Sequence, residues 1–170
     1  MNASITALFL VALAGATAAA QGETDARQLY AGNWKGTGTF YATPYSKAGP
    51  SSDTTTCRFE AGDAYLVCSQ TSDSPYGPGV QLSVYTRSGD RYVFERIERD
   101  GTPHTGDVTV DGTTWTYPFS FKNKDGVLVL MRTVNDFSQP RTNRWRSEFS
   151  TDGGKTWTRT AEGVETNVTP

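Results

Sequence analysis

The chain has 170 residues and a formal net charge of −2, with 36% hydrophobic, 20% charged and 12% aromatic residues. That length fits one domain, the aromatic content excludes a disordered chain, and the weak acidity excludes a dedicated nucleic-acid binder with a basic face. One histidine rules out multi-histidine metal sites and two cysteines rule out a four-cysteine zinc site, so no metal or cofactor is expected.

Residues 5–20, ITALFLVALAGATAAA, form an uncharged apolar run that ends in small residues. The run is short for a membrane span of about 20 residues. Ala18-Ala19-Ala20 reads as an A-x-A cleavage site, so residues 1–20 are expected to be a secretory signal peptide. The n-region carries no Lys or Arg, and an uncleaved anchor is the alternative. A secreted or periplasmic location follows, with no membrane span once the signal is removed. In that oxidising compartment Cys57 and Cys68 are expected to form a disulfide.

Thr24–Tyr30 has room for a short helical turn capped by Thr24 or Asp25. Beyond it the chain alternates with period two and is punctuated by glycine turns. The first strand, Asn33–Tyr41, places Trp34, Gly36, Gly38 and Phe40 on one face. Residues 42–53 read as a Pro/Gly/Ser loop. Around the turn at 61–64, Cys57 falls opposite Cys68 and Phe59 opposite Leu66, all on one face, in a register where a cross-strand disulfide fits.

Residues 71–79 read as a second loop. Strands follow at Val80–Arg87, Arg91–Glu98, His104–Val110, Thr113–Phe121, Val127–Val134, Arg141–Ser150 and Lys155–Glu162. Trp115, Tyr117, Phe119 and Phe121 share a face, and Val127–Val134, apolar on both faces, reads as a central strand. With no crossover helices and no repeats, the fold class is all-β. We expect a single antiparallel up-and-down barrel of about 8–10 strands over residues 21–165, with a frayed tail at 166–170.

Gly32-Asn33-Trp34, after a short helical turn, resembles the G-x-W signature of the lipocalin (calycin) superfamily. The resemblance implies a barrel plugged at one end by the tryptophan, holding a small, partly apolar molecule. Arg159 is a possible counterpart of the family's arginine on the final strand. Ser150-Thr151-Asp152-Gly153-Gly154-Lys155-Thr156-Trp157 resembles the Asp-box, a turn motif whose role here is structural.

No nucleophile elbow, phosphate loop, dinucleotide fingerprint or metalloprotease motif is present. Candidate ligand-binding residues are Trp34, Phe40, Tyr92, Arg96, His104, Trp115, Tyr117 and Trp145, and no catalytic residue is assigned. His104 is either a ligand-facing group, a haem ligand included, or a rim residue. Arg96 is buried with a carboxylate partner if Tyr92 and Phe94 face inward, and lies on the surface otherwise. Glu95, Glu98 and Glu148 alternate with arginines, as on an ion-paired solvated face. The expected function is a small-molecule binding protein. An extracytoplasmic barrel enzyme of lyase, isomerase or cyclase type and a filled-barrel envelope module are the alternatives.

Overall fold

The computed structural model describes residues 25–89, 91–98 and 100–170; the signal peptide expected at 1–20 lies outside them. A 3-10 turn, Ala26–Leu29, leads into β1 (Gly32–Phe40), β2 (Gly49–Glu60), β3 (Tyr65–Ser74), β4 (Gly77–Ser88), β5 (Arg91–Glu98), β6 (Pro103–Asp111), β7 (Thr114–Lys122), β8 (Leu128–Gln139), β9 (Thr142–Ser150) and β10 (Thr158–Asn167). Each strand pairs antiparallel with the next, and β10 returns to β1, closing a ten-strand barrel. Closure gives every strand a partner on both sides over at least part of its length, which answers the edge problem of a long meander. It also leaves no central strand, so the two-sided apolar pattern of β8 does not mark a centre.

The hairpin at 61–64 forms as its residues dictate: Ala61, Gly62 and Asp63 take positive φ, and Cys57 pairs with Cys68 and Phe59 with Leu66. The Cys57–Cys68 disulfide bridges the two strands with Cα atoms 4.0 Å apart.

Three boundaries differ from the sequence reading, for one reason. β2 starts at Gly49 rather than after 53, and the segment 71–79 is no loop but the tip of a hairpin turning at Pro75 and Tyr76. β10 starts later than Lys155 and runs to Asn167 rather than ending at Glu162. In all three the inward positions are small or polar (Ser51, Ser72, Gly79, Gly163, Glu165), so no apolar alternation announces a strand. The tail expected to fray from 166 is tied down: Val168 N donates to Asn33 O at 2.7 Å, and Asn33 N donates to Thr169 Oγ1 at 2.8 Å.

One end of the barrel is solid. Tyr30, Trp34, Tyr85, Tyr92, Trp115 and Phe137 are buried there with Leu66 and the disulfide. Their rings meet largely edge to face, with Tyr30 centroids 5.7 Å from Trp34, 6.1 Å from Trp115 and 5.4 Å from Phe137, the geometry that ring quadrupoles favour. The 3-10 turn is clamped beneath this stack by Arg27. Its guanidinium pairs with Asp25 at 2.6 Å, donates to the carbonyls of Ala64 and Asp63, and lies over the Phe59 ring.

A half-open barrel interior as candidate site

The opposite half of the barrel is built differently. β6 pairs with β5 from Tyr92↔Val108 to Ile97↔Pro103, but it pairs with β7 only at Thr109↔Thr116, Val110↔Trp115 and Asp111↔Thr114. β7 continues along β8 as far as Lys122↔Leu128. The wall therefore parts between residues 103–108 and 117–122. Phe119 and Phe121 share the inward face of Trp115 and Tyr117, yet they are 55% and 39% exposed. Inward-facing aromatics open to water mark an interior that solvent reaches from that gap.

Around the mouth, Phe40 lies 6.0 Å from Tyr76 and 6.4 Å from Trp145, centroid to centroid. The β1–β2 loop carries Tyr45 across the rim onto Phe149 and Phe121, at 4.8 and 5.7 Å. Tyr45 and Tyr76 escaped the sequence reading because loop residues carry no periodicity. Trp145 lies flat against Gly38 and Gly163, where an added Cβ would sit 2.6 Å from its ring.

The floor of this open half is polar. Gly36 pairs with Asp53 on β2 and with Glu165 on β10, and Glu165 pairs with Asn143 on β9. The missing Cβ of Gly36 makes room for the two carboxyl groups, since a Cβ there would meet Asp53 Oδ1 at 2.3 Å and Glu165 Cγ at 2.8 Å. Asn143 Nδ2 donates to Glu165 Oε2 at 2.5 Å. Burial, then the charge and hydrogen bond of Asp53, push the Glu165 carboxyl up to about 8, so it holds a proton at neutral pH. Burial likewise raises the hydroxyls of Tyr30, Tyr85 and Tyr117 around it. Neither carboxyl takes part in an ion pair among the described residues, and the buried Asn143 Oδ1 has no hydrogen-bond partner. Sequence reading missed Asp53 and Glu165: one lay in a presumed loop, the other past a presumed strand end.

The expected binding residues divide between the two halves. Trp34, Tyr92 and Trp115 belong to the plug and are 2%, 6% and 0% exposed, which makes them packing rather than lining. Tyr117, Phe40 and Trp145 face the open half. Arg96 faces inward beside Tyr92 and Phe94, and its Nε lies 2.9 Å from Glu98 Oε1. His104 pairs with Arg96 at the start of β6 and is exposed at the gap.

Outside the barrel, Arg144, Arg146, Arg159 and Glu162 border a groove of about 640 Å³. Glu148 is buried rather than solvated, held by Arg132 at 2.8 Å, Arg159 at 3.2 Å and Arg146 at 3.4 Å. Burial opposes its charge, but these arginines keep its carboxyl below the usual range. In the turn after β9, Asp152 Oδ1 accepts from the backbone N–H groups of Lys155 and Thr156, and Trp157 Nε1 donates to Gly154 O.

No family model and no curated protein matches the chain. Its fold is similar to that of Rv2717c from M. tuberculosis, a crystal structure aligned over 84% of this chain and 94% of that one, with a TM-score of 0.54 and 11% identity. At that identity the likeness concerns the fold alone. Among the described residues, no helix is long and apolar enough to cross a membrane.

Proposed function

We propose that the protein is an exported, lipocalin-like binding protein that takes a small, partly apolar molecule into the open half of its barrel. The observation that carries this reading is the parted wall between β6 and β7, with Phe119 and Phe121 facing inward yet exposed. Access, aromatic lining and a sealed floor together make a pocket for a compact ligand. The disulfide is consistent with an oxidising compartment.

Export of the full chain through a periplasm, followed by native and denaturing mass spectrometry, tests it. A mass excess lost on denaturation, or uptake of anilinonaphthalene sulfonate quenched by competing apolar molecules, is expected. A clean unliganded mass together with no dye uptake overturns it. The masses also report cleavage after Ala20.

One observation favours a second reading, an enzyme on the same barrel. The buried Glu165 carboxyl, beside the half-buried Asp53, is held above the usual carboxylate range, the disposition of a general acid. Turnover of a bound molecule, abolished in Glu165→Gln while binding persists, decides for that reading.

A further inference from the structure

The floor of the open half gathers the acceptors of Asp53, Glu165 and Asn143, and the Tyr30 hydroxyl is hydrogen-bonded to Glu165. Asp53 and Glu165 meet above Gly36, and the Asn143 amide touches Glu165 through Nδ2. The same amide leaves Oδ1 without a partner on a residue only 1% exposed. A buried carbonyl with no donor costs free energy that the fold alone does not recover. Among the described residues, Gln70 Nε2 and Thr55 Oγ1 approach Asp53 at 3.5 Å, and Glu165 hydrogen-bonds to it. Arg96 Nε lies 2.9 Å from Glu98 Oε1 without hydrogen-bond geometry, so it is a second buried polar atom left unsatisfied in the lumen.

We propose that Asp53, Glu165 and Asn143 form the head-group subsite of this pocket and that it takes a primary ammonium group carried on an apolar body. This rests on the binding reading above and names the ligand class. An ammonium brings one positive charge and three N–H donors. It meets the carboxyl groups of Asp53 and Glu165, together with an amide oxygen that lacks a donor. A carboxylate or phosphate head is excluded by like-charge repulsion in a low-dielectric site. Two residues along each strand, at the next inward position, stand Trp145, Gly38 and Gly163, so the indole lies above the head group and favours a cation with an apolar body. Docking drives the Glu165 proton to solvent, so affinity rises with pH. The titratable groups interacting with the pair are Tyr30 from the 3-10 turn, Tyr85 from β4 and Tyr117 from β7, and Arg96 from β5 acts on Tyr85. The three hydroxyls are all raised above their ordinary range and stay neutral across the window used.

The test uses the disulfide-bonded chain and three probes with one body: 2-phenylethylamine, 2-phenylethanol and 3-phenylpropionate. Affinities are measured by calorimetry and Trp fluorescence, in the wild type and in Asp53→Asn and Glu165→Gln, all checked for the folded near-UV spectrum. His104→Asn is included so that titration of the rim histidine does not enter. The amine is expected to bind about tenfold or more tightly than the alcohol, the scale of one charge-assisted hydrogen bond. That margin should grow from pH 6 to 8.5 with proton release in the calorimeter, and vanish in both carboxyl variants while alcohol affinity is kept.

Equal binding of amine and alcohol, or an amine preference that survives both variants, overturns the proposal and leaves the binding reading standing. Absence of binding by all three probes and by anilinonaphthalene sulfonate overturns both. Saturable calcium binding lost in the same variants, with no amine preference, reassigns the pair to a metal ion and overturns the proposal.

Discussion

The two halves of this barrel share the same strands but solve opposite problems. At the plugged end, Trp34, Tyr85, Tyr92 and Trp115 interlock beneath a turn clamped by Arg27. At the open end the β6–β7 seam parts, inward aromatics stay wet, and small or polar residues line the wall. The first half is spent on stability and the second on access. A single strand such as β7 runs from one regime to the other, from Trp115 at 0% exposure to Phe119 at 55%. Side-chain type alone therefore does not set the role of a residue here; depth along the barrel does.

Substitutions separate the halves by size of effect. Trp115→Ala removes the fully buried centre of the plug and is expected to lower stability by about 3–5 kcal/mol in denaturant unfolding. A loss below about 1 kcal/mol would mean that the plug is not the core. Replacing Cys57 and Cys68 by Ser together should cost about 2–4 kcal/mol, read as a lower unfolding midpoint that wild type reproduces under reducing agent.

The Glu165 carboxyl gives a pH signature at the boundary between the halves. Its folded pKa lies near 8, above the ordinary carboxylate value of 4.5. Its contribution is therefore fully present below pH 4.5 and is lost as pH rises toward 8, where the unfolded state ionises freely and the folded state resists. Glu165→Gln should flatten this fall, gaining on the order of 1–3 kcal/mol relative to wild type between pH 5 and 8. Parallel pH profiles of the two proteins would contradict the buried pair. Smallest in stability is Phe119→Ser, expected within about 0.5 kcal/mol of wild type because the ring is exposed. Its effect belongs to dye uptake, which should weaken several-fold; unchanged uptake would move the entrance away from the gap.

Much of the fold was legible because the plugged half obeys simple rules. Alternation located β1 and β7, and the glycine turn with its flanking cysteines gave both register and disulfide. The open half was not legible for a physical reason: a polar lumen facing a polar exterior produces no contrast along a strand. Ser51, Asp53 and Ser72 therefore read as loop, and Glu165 fell past the expected end of the last strand. Of the expected binding residues, parity put Tyr117, Phe40 and Trp145 on the inward face. Parity has no depth coordinate, so it did not separate them from Trp34, Tyr92 and Trp115. The carboxyl pair needed the β1–β2 and β1–β10 registers, which bring residues from distant parts of the chain against Gly36.

The seam between β1 and β10 has a kinetic consequence. It joins the two ends of the domain, as in the Asn167 side-chain bond to the Ala31 carbonyl across 136 residues of sequence. Contacts of such separation form late, since loop closure must be overcome before they contribute. The hairpins from β2 to β9 can assemble as local units, but the lumen has no floor until the final strand docks beside the first. Glu165 arrives with that strand, so ligand competence should appear in the last, slowest phase of folding. A chain shortened before β10 would keep its hairpins and lose its pocket.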